Sequence, residues 1–127
     1  ESNILMRLKL GTMELIQKSD HYFSRIHVED IANILFNSLS KFKSGEIYNL
    51  ADDKPSSLEE ITIHGAKLLN IKNLKKINVN EIESKTLKSF YKDSKKVNNK
   101  KIKKYFSYNL KFPTYEEGLG YIRDNFI

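Results

Sequence analysis

Tyr22-Phe23-Ser24-Arg25-Ile26-His27-Val28-Glu29-Asp30-Ile31-Ala32 holds two periodicities back to back, and the change between them decides how the chain reads. Residues 22 to 28 are rich in aromatic and β-branched types, which suit a pleated, half-buried surface. The sequence predicts a strand there, with Phe23, Arg25 and His27 on one face and Ser24, Ile26 and Val28 on the other. From Glu29 the apolar residues Ile31, Ile34, Leu35 and Leu39 recur at helical spacing, and Glu29 and Asp30 fall in the first turn, where carboxylates favour the helix dipole. This helix is expected to stop near Lys43 to Gly45. Glu46-Ile47-Tyr48-Asn49-Leu50-Ala51 then reads as a buried strand, closed by the turn Asp52-Asp53-Lys54-Pro55. Next, Ser57 and Glu60 frame a capping box that opens a helix through Leu58, Ile61, Ala66, Leu68 and Leu69 to about Asn70.

Strand, helix, strand, helix in that order defines an α/β fold, with short strands and packed helices around a small sheet. Towards the N-terminus, Ile4, Leu5 and Leu8 with Gly11 behind them suit a short helix ending at a glycine cap. Towards the C-terminus, Ile77 and Val79 suggest a short strand and Thr86 to Tyr91 a helical turn. Ser94 is expected to cap a helix carrying Val97, Lys101, Ile102 and Tyr105. Thr114 and Glu117 form a second capping box, opening a last helix with Tyr115, Leu119, Ile122 and Phe126 on one stripe.

The 127 residues, 39% of them hydrophobic, suffice for one core, so residues 1–127 read as a single unit. Cysteine is absent, which excludes disulfides, thiolate catalysis and Cys-based zinc sites and points to a reducing, cytoplasmic setting. No stretch approaches the roughly 18 to 20 apolar residues that span a bilayer. Glu1-Ser2-Asn3 carries no signal pattern and reads as a cut end rather than a natural beginning. The net charge of +6 is concentrated: residues 85–111 hold ten Lys against the single acid Asp93, while the rest of the chain carries more acids than bases. Lys outnumbers Arg 19 to 3, which weakens a nucleic-acid reading, because phosphates and base edges are commonly met by the planar Arg fork.

Few residues offer chemistry. His21, His27 and His64 lack metal-ligand spacing. Asp52-Asp53, Glu59-Glu60 and Glu116-Glu117 fall in a turn and in first helical turns, where capping explains them. Glycines at 11, 45, 65, 118 and 120 form no phosphate-binding loop. Tyr91-x-x-x-Lys95 has the spacing of a dehydrogenase proton-transfer pair, but Ser94 inside it reads as a helix cap and no nucleotide-binding unit precedes it. The lysine segment reads as a solvated helix face. Its functional alternative is a small basic nucleic-acid-binding module, with Lys95, Lys96, Lys100, Lys101, Lys103 and Lys104 on phosphates and Tyr105, Phe106 or Tyr108 stacked on bases.

Several stretches resemble, in order, the C-terminal part of the extended short-chain dehydrogenase/reductase superfamily, the NAD-dependent epimerase/dehydratase family. Ile26-His27-Val28-Glu29-Asp30-Ile31-Ala32 is similar to the family's I-H-V-x-D-x-A, and Gly45-Glu46-Ile47-Tyr48-Asn49-Leu50 to its G-x-x-Y-N followed by an apolar residue. Ser94-Lys95-Lys96-Val97 with Asn99, Ile102 and Lys103 resembles S-K-R-V-x-N-x-x-I-K of one branch. Phe112-Pro113-Thr114-Tyr115-Glu116-Glu117-Gly118-Leu119 resembles its Y-P-T-Y-x-E-G-L.

The resemblance implies the substrate-binding lobe of a Rossmann-type enzyme, inactive alone, acting on a sugar-like or other small polar substrate. NAD or NADP would belong to the intact enzyme, with none bound by this piece. The cofactor loop and the catalytic Tyr and Lys would lie in an N-terminal Rossmann portion of the same polypeptide. Many members that use nucleotide sugars carry R-D-Y/F before I-H-V, with the Arg on the nucleotide phosphates. Here Phe23-Ser24-Arg25 stands in that place, which counts against a nucleoside-diphosphate-sugar substrate and resembles a divergent reductase-like branch with S-R-I-H-V. Arg25, with Phe23 and His27 on the same expected face, is the candidate substrate-binding set, Arg25 as an anion-binding group. Homo-oligomerisation through an exposed apolar face is also expected. A third reading is a protein-interaction domain that keeps only the fold.

Overall fold

A computed structural model describes residues 3–41 and 43–127. The reading of Glu1 and Ser2 as a cut end lies outside the described residues, as does Phe42 in the expected helix tail. The described residues form a small α/β protein with two parallel strands and six α-helices.

Helix α1 (Ile4–Lys9) starts where Asn3 Oδ1 accepts the Met6 N–H at 2.8 Å. It ends at the expected glycine, because Gly11 adopts φ +67° and the amides of Gly11 and Thr12 turn back onto the carbonyls of Leu8 and Arg7. Strand β1 (Leu15–Gln17) pairs in parallel with β2 (Lys76–Asn78), Ile16 opposite Ile77. Between them come α2 (Val28–Ser38) and α3 (Leu58–Leu68). A 3-10 turn (Val79–Glu81), α4 (Lys85–Phe90), α5 (Lys100–Phe106) and α6 (Tyr115–Phe126) complete the order. Both expected capping boxes form: Glu60 N–H donates to Ser57 Oγ at 3.0 Å and Ser57 N–H to Glu60 Oε2 at 2.7 Å, with Thr114 and Glu117 repeating the exchange.

The main core joins α1, α3 and α6 through Leu5, Leu8, Ile61, Ala66 and Leu119. Gly65 allows that approach: a Cβ there would stand 2.8 Å from Leu8 Cδ1 and 3.2 Å from Leu5 Cδ2. A second cluster gathers Ile16, Ile82 and Tyr91 beside the sheet. The third binds α2 to α5 through Ile34, Ile102 and Phe106.

Four expectations need correction. Residues 22–28 form no regular strand; a single antiparallel bridge links Phe23 to Ser56, and His27 becomes the N-cap of α2, its Nδ1 accepting the Glu29 N–H at 3.3 Å. Residues 46–51 form no strand either, since no neighbouring strand exists among the described residues, and Ile47 is 80% exposed. Helix α2 stops at Ser38, short of the expected end, and while Ile34 on its stripe is buried, Leu35 and Leu39 face outward. Ser94 caps no helix: its Oγ accepts from Tyr22 N–H at 2.9 Å and donates to Asp20 O, and α5 begins only after Asn99. Strand β1 was not foreseen, because three residues are too few to display a period. Among the described residues, no helix is long and apolar enough to cross a membrane.

Candidate ligand cleft and an open face

A cleft of about 230 Å³ opens between α1, α3 and α6, with the 25–27 segment and Asp52 at its polar end. Local geometry fixes that end. The Phe23–Ser56 bridge anchors the 23–25 backbone, and Arg25 Nη1 donates to Ser56 O at 2.9 Å and Phe23 O at 3.4 Å. The guanidinium also lies 5.1 Å from the Phe23 ring centre. Asp52 N–H donates to Arg25 O at 2.6 Å, which places the acid beside the arginine. Asp52 is 5% exposed, and burial raises its carboxyl to about 6, although the Lys54 N–H on Oδ1 (3.0 Å) and the Arg25 charge act the other way. Burial likewise lowers the Arg25 pKa, with Asp52 opposing it.

His27 lines the same cleft. Because Nδ1 accepts a backbone N–H, the ring proton belongs on Nε2, which is buried and unpartnered among the described residues. Its ring centre lies 4.0 Å from that of Phe112, and it rests on Gly118, where a Cβ would stand 3.2 Å from Cδ2. Burial lowers its pKa, so the neutral form is favoured. At the rim Lys54 pairs with Glu116 and sits 5.0 Å from the Tyr115 ring centre. Burial pushes Glu116 up, but hydrogen bonds from Lys54 and Thr114 outweigh it and hold the carboxyl at about 2.

Of the three expected site residues, Arg25 and His27 meet in this cleft, whereas Phe23 lies beneath Arg25 against His21 (4.6 Å) and Tyr91 (6.0 Å). Sequence reasoning missed Asp52, absorbing it into a turn with Asp53. Only Asp53 behaves as a surface group, accepting from Asn99 Nδ2 and Lys103 Nζ at 2.7 Å each. The available signal was an acid placed directly behind the apolar run that ends at Ala51. Asp30 also exceeds its expected first-turn role: fully buried, it accepts from Tyr108 Oη (2.7 Å), Lys111 N–H (2.7 Å) and Phe112 N–H (3.0 Å), tying α2 to the loop before α6.

Part of the lysine segment is engaged within the molecule. Lys101 pairs with Glu46, Lys103 with Asp53 and Lys111 with Glu29, while Lys96 lies 3.9 Å from the Tyr22 ring centre. Phe106 is buried, Tyr105 packs on Tyr48, and Tyr108 is held by Asp30. Tyr91 closes α4 and Lys95 lies beyond it, so the two share no helix face.

No glycine opens a helix behind a strand, as the glycine-rich loop of a dinucleotide site does: Gly65 and Gly118 sit inside helices under Leu8 and His27, and Gly11 and Gly45 occupy turns. Among the described residues, no group of three His, Asp or Glu side chains could hold a metal ion.

Val28, Ala32, Leu35 and Leu39 recur along α2 and its C-cap at i, i+4, i+7 and i+11, all exposed, with Leu39 at 81%. Phe36 and Ile47 are exposed as well, and the backbone of 46–50 makes no backbone–backbone hydrogen bonds among the described residues.

No family model matches the chain, and no curated protein matches it. A solved structure of a functionally unknown conserved protein from Silicibacter pomeroyi is similar, with TM-score 0.90 and 31% identity over 95% of this chain. The match spans 43% of that protein, so the chain covers less than half of its length.

Proposed function

We propose that this chain is the C-terminal, substrate-binding lobe of an NAD(P)-dependent epimerase, dehydratase or reductase of the extended short-chain dehydrogenase/reductase type. The observation that carries the reading is the open face. Helix α2 and the extended 46–51 segment follow one another as a helix and strand do in an α/β layer, and among the described residues no strand pairs with 46–51. A Rossmann portion of the same polypeptide would cover the α2 stripe and accept 46–51 as an edge strand. The four family-like stretches in family order support the same reading, as does similarity to a protein more than twice as long.

In the intact enzyme, a hydride would pass between the nicotinamide and a carbinol or carbonyl of a small substrate. The cofactor-binding and proton-transfer groups lie outside this chain. Its own contribution is orientation: Arg25 and Asp52, both fixed by backbone bonds, hold the substrate at the polar end of the cleft. The lobe alone is inactive, and the whole protein works in the cytoplasm.

The test is to express the polypeptide as its genome encodes it, with whatever precedes Glu1, and to measure NAD(H) and NADP(H) binding by nicotinamide fluorescence. Binding by the encoded polypeptide and none by the 127-residue chain is the expected result. An encoded polypeptide without dinucleotide binding overturns the reading.

A further inference from the structure

Three features of the cleft act together. Its walls are mainly apolar, built by Ile4, Leu58, Ile61, Phe112, Leu119 and Ile122. At about 230 Å³ it exceeds the roughly 150 Å³ in which an engineered apolar cavity holds benzene, which leaves room for a ring with a short substituent. Its polar end carries one group of each sign. Arg25 commits Nη1 to two carbonyls, and its other N–H groups have no acceptor among the described residues. Asp52 takes the Lys54 N–H on Oδ1, and no donor among the described residues reaches its other oxygen. A ligand anion would meet Asp52 and a ligand cation would meet Arg25, each losing hydration on entry. A neutral group that both donates and accepts suits both side chains.

We propose that this cleft binds a small, neutral, mainly apolar molecule, a ring or a branched aliphatic body, through a hydroxyl or carboxamide head that donates to Asp52 and accepts from Arg25. This replaces the expectations of a sugar-like, polar substrate and of an anion on Arg25. It rests on the reading above only in calling the occupant a substrate; binding itself requires neither cofactor nor second domain.

Amide NMR spectra of the 127-residue chain, titrated with 3-phenylpropan-1-ol, 3-phenylpropanoate and 3-phenylpropylamine, test the proposal with one body and three head-group charges. Glycerol supplies a hydroxyl head without the body. The alcohol should shift the amides of Tyr115, Gly118 and Leu119 saturably at millimolar concentration, the two ions should bind about tenfold more weakly or less, and glycerol should shift nothing. Asp52→Asn should weaken the alcohol about fivefold, the scale of one hydrogen bond. If that variant fails to fold, Ile122→Trp fills the cleft from the partly exposed side of α6 and should abolish the shifts. An ion binding as tightly as the alcohol, shifts located elsewhere, or no saturable response overturns the proposal. Dinucleotide binding by the encoded polypeptide is read separately, so the two failures are distinguishable.

Discussion

The α1–α3–α6 core of the molecule and the outer side of the α2–46–51 half carry similar apolar residues and differ in how far they are covered. In the first, Leu5, Leu8, Ile61 and Leu119 close on one another until Leu5 has no exposed surface. In the second, Leu35, Phe36, Leu39 and Ile47 are each more than half exposed. Amphipathic periodicity states that a face is to be covered; it does not state that the covering element belongs to the same chain. The contrast in exposure is what the proposed Rossmann interface rests on.

Truncating one leucine in each half gives the sharpest test of that contrast. Leu5→Ala should cost about 2–5 kcal/mol in urea unfolding, because it leaves a cavity in a closed core. Leu39→Ala should fall within about 0.5 kcal/mol of the parent. Equal costs would mean that the open face is packed in solution.

Asp30 ranks next, because it joins the two halves at the start of α2. Asp30→Ala leaves the Tyr108 hydroxyl and the Lys111 and Phe112 amides without their shared acceptor, for a loss of about 3 kcal/mol. Tyr108→Phe removes one of the three bonds and should cost about 1 kcal/mol by the same unfolding measurement.

Those two residues also show how far sequence reasoning reached. Short-range signals were read correctly at the Ser57 and Thr114 capping boxes and the Gly11 terminus of α1, though not at His27, whose cap partner Glu29 is two residues away. Groups whose partners are distant in sequence were not. Asp30 accepts from Tyr108, Lys111 and Phe112, and Asp52 acquires its character from burial in the cleft beside α3 and α6, which outweighs the opposing charge of Arg25. Residues 46–51 have strand composition without a partner strand, and residues 22–28 spend their extended conformation on one bridge and a helix cap.

Asp52 gives a pH signature confined to the cleft half. Its carboxyl titrates at about 6 when folded, against 3.8 ordinarily, so between those values the folded protein keeps a proton the unfolded chain has released. Its contribution therefore falls as pH rises from about 4 to 6, and the loss is complete above that. Asp52→Asn should be more stable than the parent at pH 7.5, by on the order of 1–3 kcal/mol, and equal to it below pH 4. His21 opposes this trend. Burial and the nearby Lys18 lower its pKa, so its contribution is lost as pH falls below about 6.5. Comparing melting temperatures of Asp52→Asn and the parent across pH separates the two groups; a variant less stable at pH 7.5 would show that the buried carboxylate is a net stabiliser.

The smallest expected effect is at a cap. Ser57→Ala should cost about 1 kcal/mol through loss of the bond to the Glu60 amide, measured by the same urea unfolding.

The most direct test of the account is amide hydrogen exchange at Ile47 to Leu50, measured in the 127-residue chain and in the polypeptide its genome encodes. In the shorter chain these amides have no backbone acceptor and should exchange rapidly. If the proposed function holds, pairing of this segment into a sheet in the encoded polypeptide should slow them by several orders of magnitude, together with reduced side-chain mobility at Leu35 and Leu39. Equally rapid exchange in both would contradict the assignment of the open face to a Rossmann sheet.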